Sequence, residues 1–166
     1  MTDITARFAL PLLQSGQAQK ELFHNEALAL IDALLHPVAE MLGADTPPAA
    51  PEPGQCWIVG AAPSGDWAGR SGQIAAWTAG GWRFAAPATG MTVWLADANV
   101  RALYDGSAWR EGVVPATALQ VGGQQVVGER QSAIADPAGG GVVDVEARTA
   151  LVALLDALRA HGLIAA

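Results

Sequence analysis

Ile74-Ala75-Ala76-Trp77-Thr78-Ala79-Gly80-Gly81-Trp82-Arg83-Phe84, and then Leu103-Tyr104-Asp105-Gly106-Ser107-Ala108-Trp109-Arg110, decide the fold. Each is a short β-prone run entering and leaving a tight turn. Gly80-Gly81 and Asp105-Gly106 supply the positive φ that such a turn needs, so both segments read as antiparallel β-hairpins. Each hairpin sets one aromatic five residues after another: Trp77 and Trp82, then Tyr104 and Trp109. Arg83 and Arg110 each follow the second aromatic. This is a weak internal repeat, or two successive hairpins of one small sheet.

Outward from the hairpins, Cys56–Val59 and Met91–Leu95 read as further strands, and Pro63-Ser64-Gly65-Asp66 as a turn. Residues 55–118 therefore form a tryptophan-rich β domain, its last residues, 112–118, a linker. Before it, residues 44–54 carry four prolines and read as a semi-rigid extended connector. Residues 1–43 read as an N-terminal helical segment, helical from Gln17. One apolar row is Phe23, Ala27, Leu30, Leu34 and Met41; a second is Leu28, Ile31, Leu35, Val38 and Leu42. Two adjacent rows are wider than one seam requires, so one can face the domain and the other a second copy. A well-buried helix of a monomer is the alternative. Pro37 kinks this helix or divides it, and Gly43 is placed to cap it. Residues 119–166 read as a β-hairpin around Gly122-Gly123 followed by a C-terminal helix. Asp144 is placed as its N-cap, and Ala147, Leu151, Leu154 and Leu158 form its main row. Gly162 stands at C′, with Leu163 able to contact Leu158 in a Schellman motif. The predicted fold class is α+β: N-terminal helix, small antiparallel β-rich middle, C-terminal helix.

Composition narrows the function. Charged residues make up 15% of the 166, against about 25% in typical soluble domains. A chain with so few charges is expected to hide surface against copies of itself or partners; a bias toward Ala and Gly gives the same composition. The net charge is −7 and Lys20 is the only lysine. No basic patch is present to neutralise phosphates, which argues against nucleic acid and anionic membranes as partners. Met1–Leu13 has neither the basic nor the long apolar region of a signal peptide, and no apolar run is long enough to span a bilayer. Synthesis in the cytoplasm is expected.

No catalytic constellation, cofactor motif or metal-ligand spacing is found. His24, His36 and His161 fall on predicted helices without zinc-ligand spacing. Gly60–Gly65 has P-loop glycine spacing, but Asp66 and Trp67 stand where Lys and Ser/Thr are needed. Gly139-Gly140-Gly141 before a helix is weak support for dinucleotide binding. Cys56 is alone, in an apolar strand, and reads as a buried thiol. Asp66, Asp97, Asp105 and Glu111 could in principle supply a glycosidase pair, but all sit in turn-like contexts. The protein is therefore expected not to be an enzyme. Six tryptophans (Trp57, Trp67, Trp77, Trp82, Trp94 and Trp109) remain. Either they are all buried, with Trp57, Trp77 and Trp94 alternating with polar residues to fill the sheet core, or at least one stays exposed as a platform for sugar rings or a protein partner. Trp77, Trp82, Tyr104 and Trp109 are the candidate binding residues. Phe23, Leu30, Leu34, Leu151, Leu154 and Leu158 are the candidate oligomer interface.

Ala9-Leu10-Pro11-Leu12-Leu13-Gln14-Ser15-Gly16-Gln17-Ala18-Gln19-Lys20 with His24-Asn25-Glu26-Ala27-Leu28, then Gly65-Asp66-Trp67-Ala68-Gly69 and Gly81–Phe84, resembles a family of phage-type proteins of unknown function. Its members occur in alphaproteobacterial prophages and gene transfer agents, among tail-fibre-like and head-spike proteins. The stretches Val127–Gln131, Ala133–Asp136, Asp144–Arg148 and Leu158–Gly162 are similar to a module at the ends of such proteins. The resemblance implies a virion component at the particle surface, in contact with capsid or spike-fibre proteins, and no established active site. Many relatives carry long receptor-binding extensions, whereas this sequence stops at Ala166. The resemblance therefore implies a head-spike base or fibre adaptor, assembled as a homo-oligomer (trimer or pentamer). The alternative is a carbohydrate-binding adhesin for host capsular polysaccharide.

Overall fold

The computed structural model describes residues 4–13, 16, 20–141, 144–160 and 162–165. They fall into two compact units, Met1–Val114 and Pro115–Ala166. The architecture is α+β: one helix near each end flanks a β-rich middle in which antiparallel pairing dominates.

In the first unit, helix α1 spans Lys20–Leu34; Gln17 lies outside the described residues. The helix is shorter than its apolar pattern predicts. Proline disfavours helical backbone in the residue before it and donates no hydrogen bond. The helix ends with His36 in the left-handed conformation common just past a helix C-terminus, at φ 48, and Pro37 cannot continue it. Val38, Met41 and Leu42 therefore leave the helical rows. The chain instead forms two short strands, β1 (Val38–Ala39) and β2 (Leu42–Ala44). Gly43 sits within β2 at φ 85 and caps no helix.

These two strands seed two sheets. β2 pairs in parallel with β3 (Cys56–Val59), which leads antiparallel into β4 (Ile74–Thr78) and β5 (Gly81–Ala85). β1 pairs in parallel with β6 (Thr92–Leu95), which leads antiparallel into β7 (Val100–Tyr104) and β8 (Trp109–Glu111). The hairpin repeat thus belongs to two separate four-stranded sheets of like topology. The core between them gathers Cys56, Ile58, Ile74 and Ala76 from the first sheet, and Ala39, Val93, Leu95 and Ala102 from the second, with Ala33 of α1. The proline-rich stretch 44–54 lies inside this unit. Its Gly54 N–H donates to Trp77 O (2.9 Å).

In the second unit, β9 (Leu119–Val121) and β10 (Gln124–Val127) form a hairpin turning on Gly122 and Gly123, both at positive φ. Helix α2 spans Val145–Ala160. Asp144 Oδ1 accepts the Ala147 N–H (2.8 Å), the predicted N-cap. At the other end Leu163 N–H donates to Leu158 O (3.0 Å) and Gly162 N–H to Arg159 O (2.9 Å). With Gly162 at φ 72, this is the Schellman pattern.

Candidate functional site

The hairpin aromatics are cross-strand partners, as their five-residue spacing implies: Trp77 faces Trp82 and Tyr104 faces Trp109. Their ring centroids lie 4.9 Å and 5.4 Å apart. They do not form one platform, because each pair belongs to its own sheet. Trp77 and Trp82 join Trp57, Trp67, Val59, Ala75 and Phe84 in a second cluster on the first sheet's far face. Trp67 comes from a single 3₁₀ turn, Gly65–Trp67, in the connection from β3 to β4. It is fully buried, 5.1 Å from Trp82 and 6.1 Å from Trp57 between centroids. Its Nε1–H has no hydrogen-bond partner among the described residues. Trp109 is half-buried against the core, and its Nε1–H donates to Gly72 O (2.9 Å).

Trp94 differs. β6 alternates, with Val93 and Leu95 turned into the core and Thr92 and Trp94 outward; Trp94 is 39% exposed. Arg101 is its antiparallel partner and Val38 its parallel one. A depression of about 520 Å³ at this face is bordered by Trp94, Arg101, Thr92, Met91, His36 and Val38. The alternation that groups Trp94 with Trp57 and Trp77 as core-filling does not hold for Trp94, because the parity of β6 turns Val93 and Leu95 inward and Trp94 outward.

The outer side of α1 is the other exposed surface. Phe23, Ala27, Ile31 and Leu35 recur at four-residue spacing, all exposed, with Phe23 at 76% and Leu22 beside it at 61%. Of the interface candidates, Phe23 lies on this stripe, Leu30 is half-buried, and Leu34 packs against the core. In α2, Leu151 and Leu154 are exposed and Leu158 is half-buried.

What fixes α1 was missed in the sequence. Asp32 is 4% exposed, and its carboxylate accepts from the Thr5 hydroxyl (2.6 Å) and the N–H groups of Arg7 (2.8 Å) and Phe8 (2.7 Å). The Arg7 guanidinium donates to the carbonyls of Asp32, Ala33 and His36 at 2.8–3.0 Å. A cation there satisfies orphan carbonyls and complements the helix dipole. Further along, the Glu26 carboxylate accepts from Arg83 of β5, whose guanidinium holds the carboxyl below its ordinary range. A cavity of about 560 Å³ lies between residues 4–12, α1 and the β4–β5 hairpin, walled by Arg83, Glu26 and Asn25.

The remaining titratable groups serve the fold. Asp105 accepts the N–H groups of Ala108 and Ser107, the Ser107 hydroxyl and Arg110 Nε, which hold its carboxyl far below the usual range. Asp97 accepts the Ala98 N–H (2.8 Å). Burial pushes the Cys56 thiol up to about 11, against the opposing charge of Arg7. His24 Nδ1 lies 2.9 Å from Lys20 O on its own helix. His161 lies outside the described residues. Among the described residues, no cluster of three or more His, Cys, Asp or Glu is placed to hold a metal ion. No described helix is long and apolar enough to cross a membrane.

The fold and surfaces define an α+β protein centred on two tryptophan-marked sheets of like topology. Residues 24–110, just over half of the chain, match the family described as protein of unknown function (DUF2793). The chain belongs to this family. The match takes in most of α1 and nearly all of both sheets, and ends before the second unit. No curated protein matches the chain.

Proposed function

We propose that this protein is a non-catalytic structural component of a phage-like particle such as a gene transfer agent. It serves there as a head-spike base or an adaptor joining a surface fibre to the capsid. The resemblance of its opening and closing segments to virion proteins motivates the setting. The observation that carries the assembly role is the exposed stripe Phe23, Ala27, Ile31 and Leu35. Contiguous exposed apolar surface of this kind marks interaction sites. The reading adjusts the expected interface: Phe23 stays, and Ile31 and Leu35 replace Leu30 and Leu34. Leu151 and Leu154 give the second unit an apolar helix face of its own, as an adaptor with two attachments needs.

Light scattering at micromolar concentration tests the association, with Ile31→Asp as the disrupting variant. The expected result is a closed oligomer, trimer or pentamer, that Ile31→Asp dissociates. A monomer, unchanged by added capsid protein, overturns the assembly role. Absence of the chain from intact particles by labelled electron microscopy overturns the setting. A second reading, an adhesin for host capsular polysaccharide, rests on one observation: the exposed Trp94.

A further inference from the structure

The two sheets are repeats of one unit, and their register aligns them residue by residue. Trp77 and Trp82 match Tyr104 and Trp109 as cross-strand pairs. Ile74 then matches Arg101, and Ala76 matches Leu103. Ile58 pairs with Ile74 as Trp94 pairs with Arg101, and Cys56 pairs with Ala76 as Thr92 pairs with Leu103. On the first sheet these four positions are Cys56, Ile58, Ile74 and Ala76, all buried beneath the second sheet. On the second sheet they are Thr92, Trp94, Arg101 and Leu103.

That substitution pattern is wrong for receiving another sheet. A packed sheet face wants aliphatic side chains and excludes an unpaired cation. Here a large aromatic and a guanidinium stand side by side, with a hydroxyl one pair away. Arg110, on the same face, is neutralised by Asp105 (2.6 Å). Arg101 makes no ion pair or side-chain hydrogen bond among the described residues, and the two arginine–aromatic stacks found there lie elsewhere, Arg7 on Phe8 and Arg70 on Phe84. Trp94 itself is 39% exposed. His36 borders the same depression in a left-handed backbone conformation, its carbonyl held by Arg7 (2.9 Å). The depression's 520 Å³ lies within the range of about 300–1,000 Å³ usual for small-ligand sites.

We infer that this face is a binding site for an anionic saccharide, in which a sugar ring stacks on Trp94 while its carboxylate meets Arg101. Flat aromatics with a polar edge suit the apolar face of a sugar ring, and the guanidinium fork matches a carboxylate. Thr92 is placed to meet ring hydroxyls. The inference rests on the adhesin reading and is independent of the assembly reading.

Affinity electrophoresis of the full chain in native gels tests it, with polygalacturonate as the anionic probe and dextran as the neutral one. Retardation is expected in polygalacturonate and not in dextran. Trp94→Ala should abolish it while leaving the near-ultraviolet circular dichroism of the other five tryptophans native-like. Arg101→Gln should weaken it about tenfold, the scale of losing one charge-assisted hydrogen bond. No retardation in either polymer overturns the proposal together with the adhesin reading. Equal retardation in both, insensitive to Arg101→Gln, overturns the anionic preference alone and leaves the adhesin reading standing. Self-association abolished by Trp94→Ala, without polysaccharide binding, assigns the face to a second copy and overturns the proposal.

Discussion

Asp32→Ala should be among the most damaging substitutions on α1, although Asp32 is polar and its helix is half-exposed. Its carboxylate is 4% exposed and gathers three donors from one loop: the Thr5 hydroxyl and the N–H groups of Arg7 and Phe8. A hydrogen bond to a charged acceptor contributes about 1.5–3 kcal/mol net, and a buried donor left unpaired costs about 1–3 kcal/mol. Three such bonds would sum to about 5–9 kcal/mol, but they share one acceptor and are not additive. The Thr5 hydroxyl also accepts the Leu10 N–H (3.0 Å) and keeps that bond when the carboxylate is removed, so the expected loss is about 3–4 kcal/mol. Asp32→Asn keeps the volume and one acceptor oxygen while turning a donor toward the loop, and should cost about 2 kcal/mol. Urea unfolding measures both. Amide exchange locates them: Arg7 and Phe8 should lose protection first, because their N–H groups point at the deleted carboxylate. A loss below about 1 kcal/mol for Asp32→Ala, with Arg7 and Phe8 still protected, would refute the claim that this carboxylate ties the N-terminal loop to α1.

Three further outcomes rest on the buried and paired groups. Trp67→Ala should cost about 3–5 kcal/mol in urea unfolding, and Trp67→Phe clearly less, since phenylalanine refills most of the cavity and removes the unpartnered Nε1–H; equal losses would show that the indole nitrogen carries no penalty. Glu26→Gln should cost under about 1 kcal/mol at pH 7, because the ion pair with Arg83 is partly exposed and screened. Arg83 lowers the Glu26 carboxyl, so that contribution is fully present above the ordinary value of 4.5 and is lost as pH falls through the lowered folded value. The wild-type advantage over Glu26→Gln should therefore shrink in unfolding titrations carried below pH 4.5; an advantage that grows on acidification would contradict the pairing. Cys56, buried and pushed up to about 11, should resist a thiol-disulfide reagent at pH 8 until the chain unfolds; rapid labelling of native protein would show that β3 opens.

The hairpins were legible because their turns carry Gly80-Gly81 and Asp105-Gly106 and their aromatics repeat. Local chemistry also announced both ends of α2, through Asp144 and Gly162. The strands at 38–44 were not legible. Val38, Met41 and Leu42 keep helical spacing with the residues before Pro37, and two- and three-residue parallel strands leave no period of their own to read. Parallel pairing is set by partners far along the chain, Trp94 for Val38 and Ile58 for Leu42. The Asp32 anchor was hidden for the same reason: its partners, Thr5 to Phe8, lie more than twenty residues away. The candidate site was half visible. Sequence marked the tryptophans as a group, but which of them meets solvent depends on strand parity and on what covers each sheet, neither of which is a local property.

The repeat explains how six tryptophans come to have different duties. Trp57, Ala75 and Trp82 on the first sheet match Val93, Ala102 and Trp109 on the second. On the second sheet that face closes against the back of the first, and Trp109 reaches across to Gly72 O. Among the described residues of the first unit, no third sheet covers that face of the first sheet. It closes instead on Trp67, delivered by the connection 60–73, where the second sheet has only residues 96–99 between its corresponding strands. A stack of like units needs an end that satisfies its outer apolar face, and the Trp67 turn is that end. On the opposite side, the back of the second sheet carries Thr92, Trp94 and Arg101 in place of Cys56, Ile58 and Ile74. The first sheet's outer face is thus sealed by Trp67, whereas the back of the second sheet leaves Trp94 39% exposed beside Arg101; on the proposed saccharide reading Trp94, rather than any hairpin aromatic, is the tryptophan to mutate first.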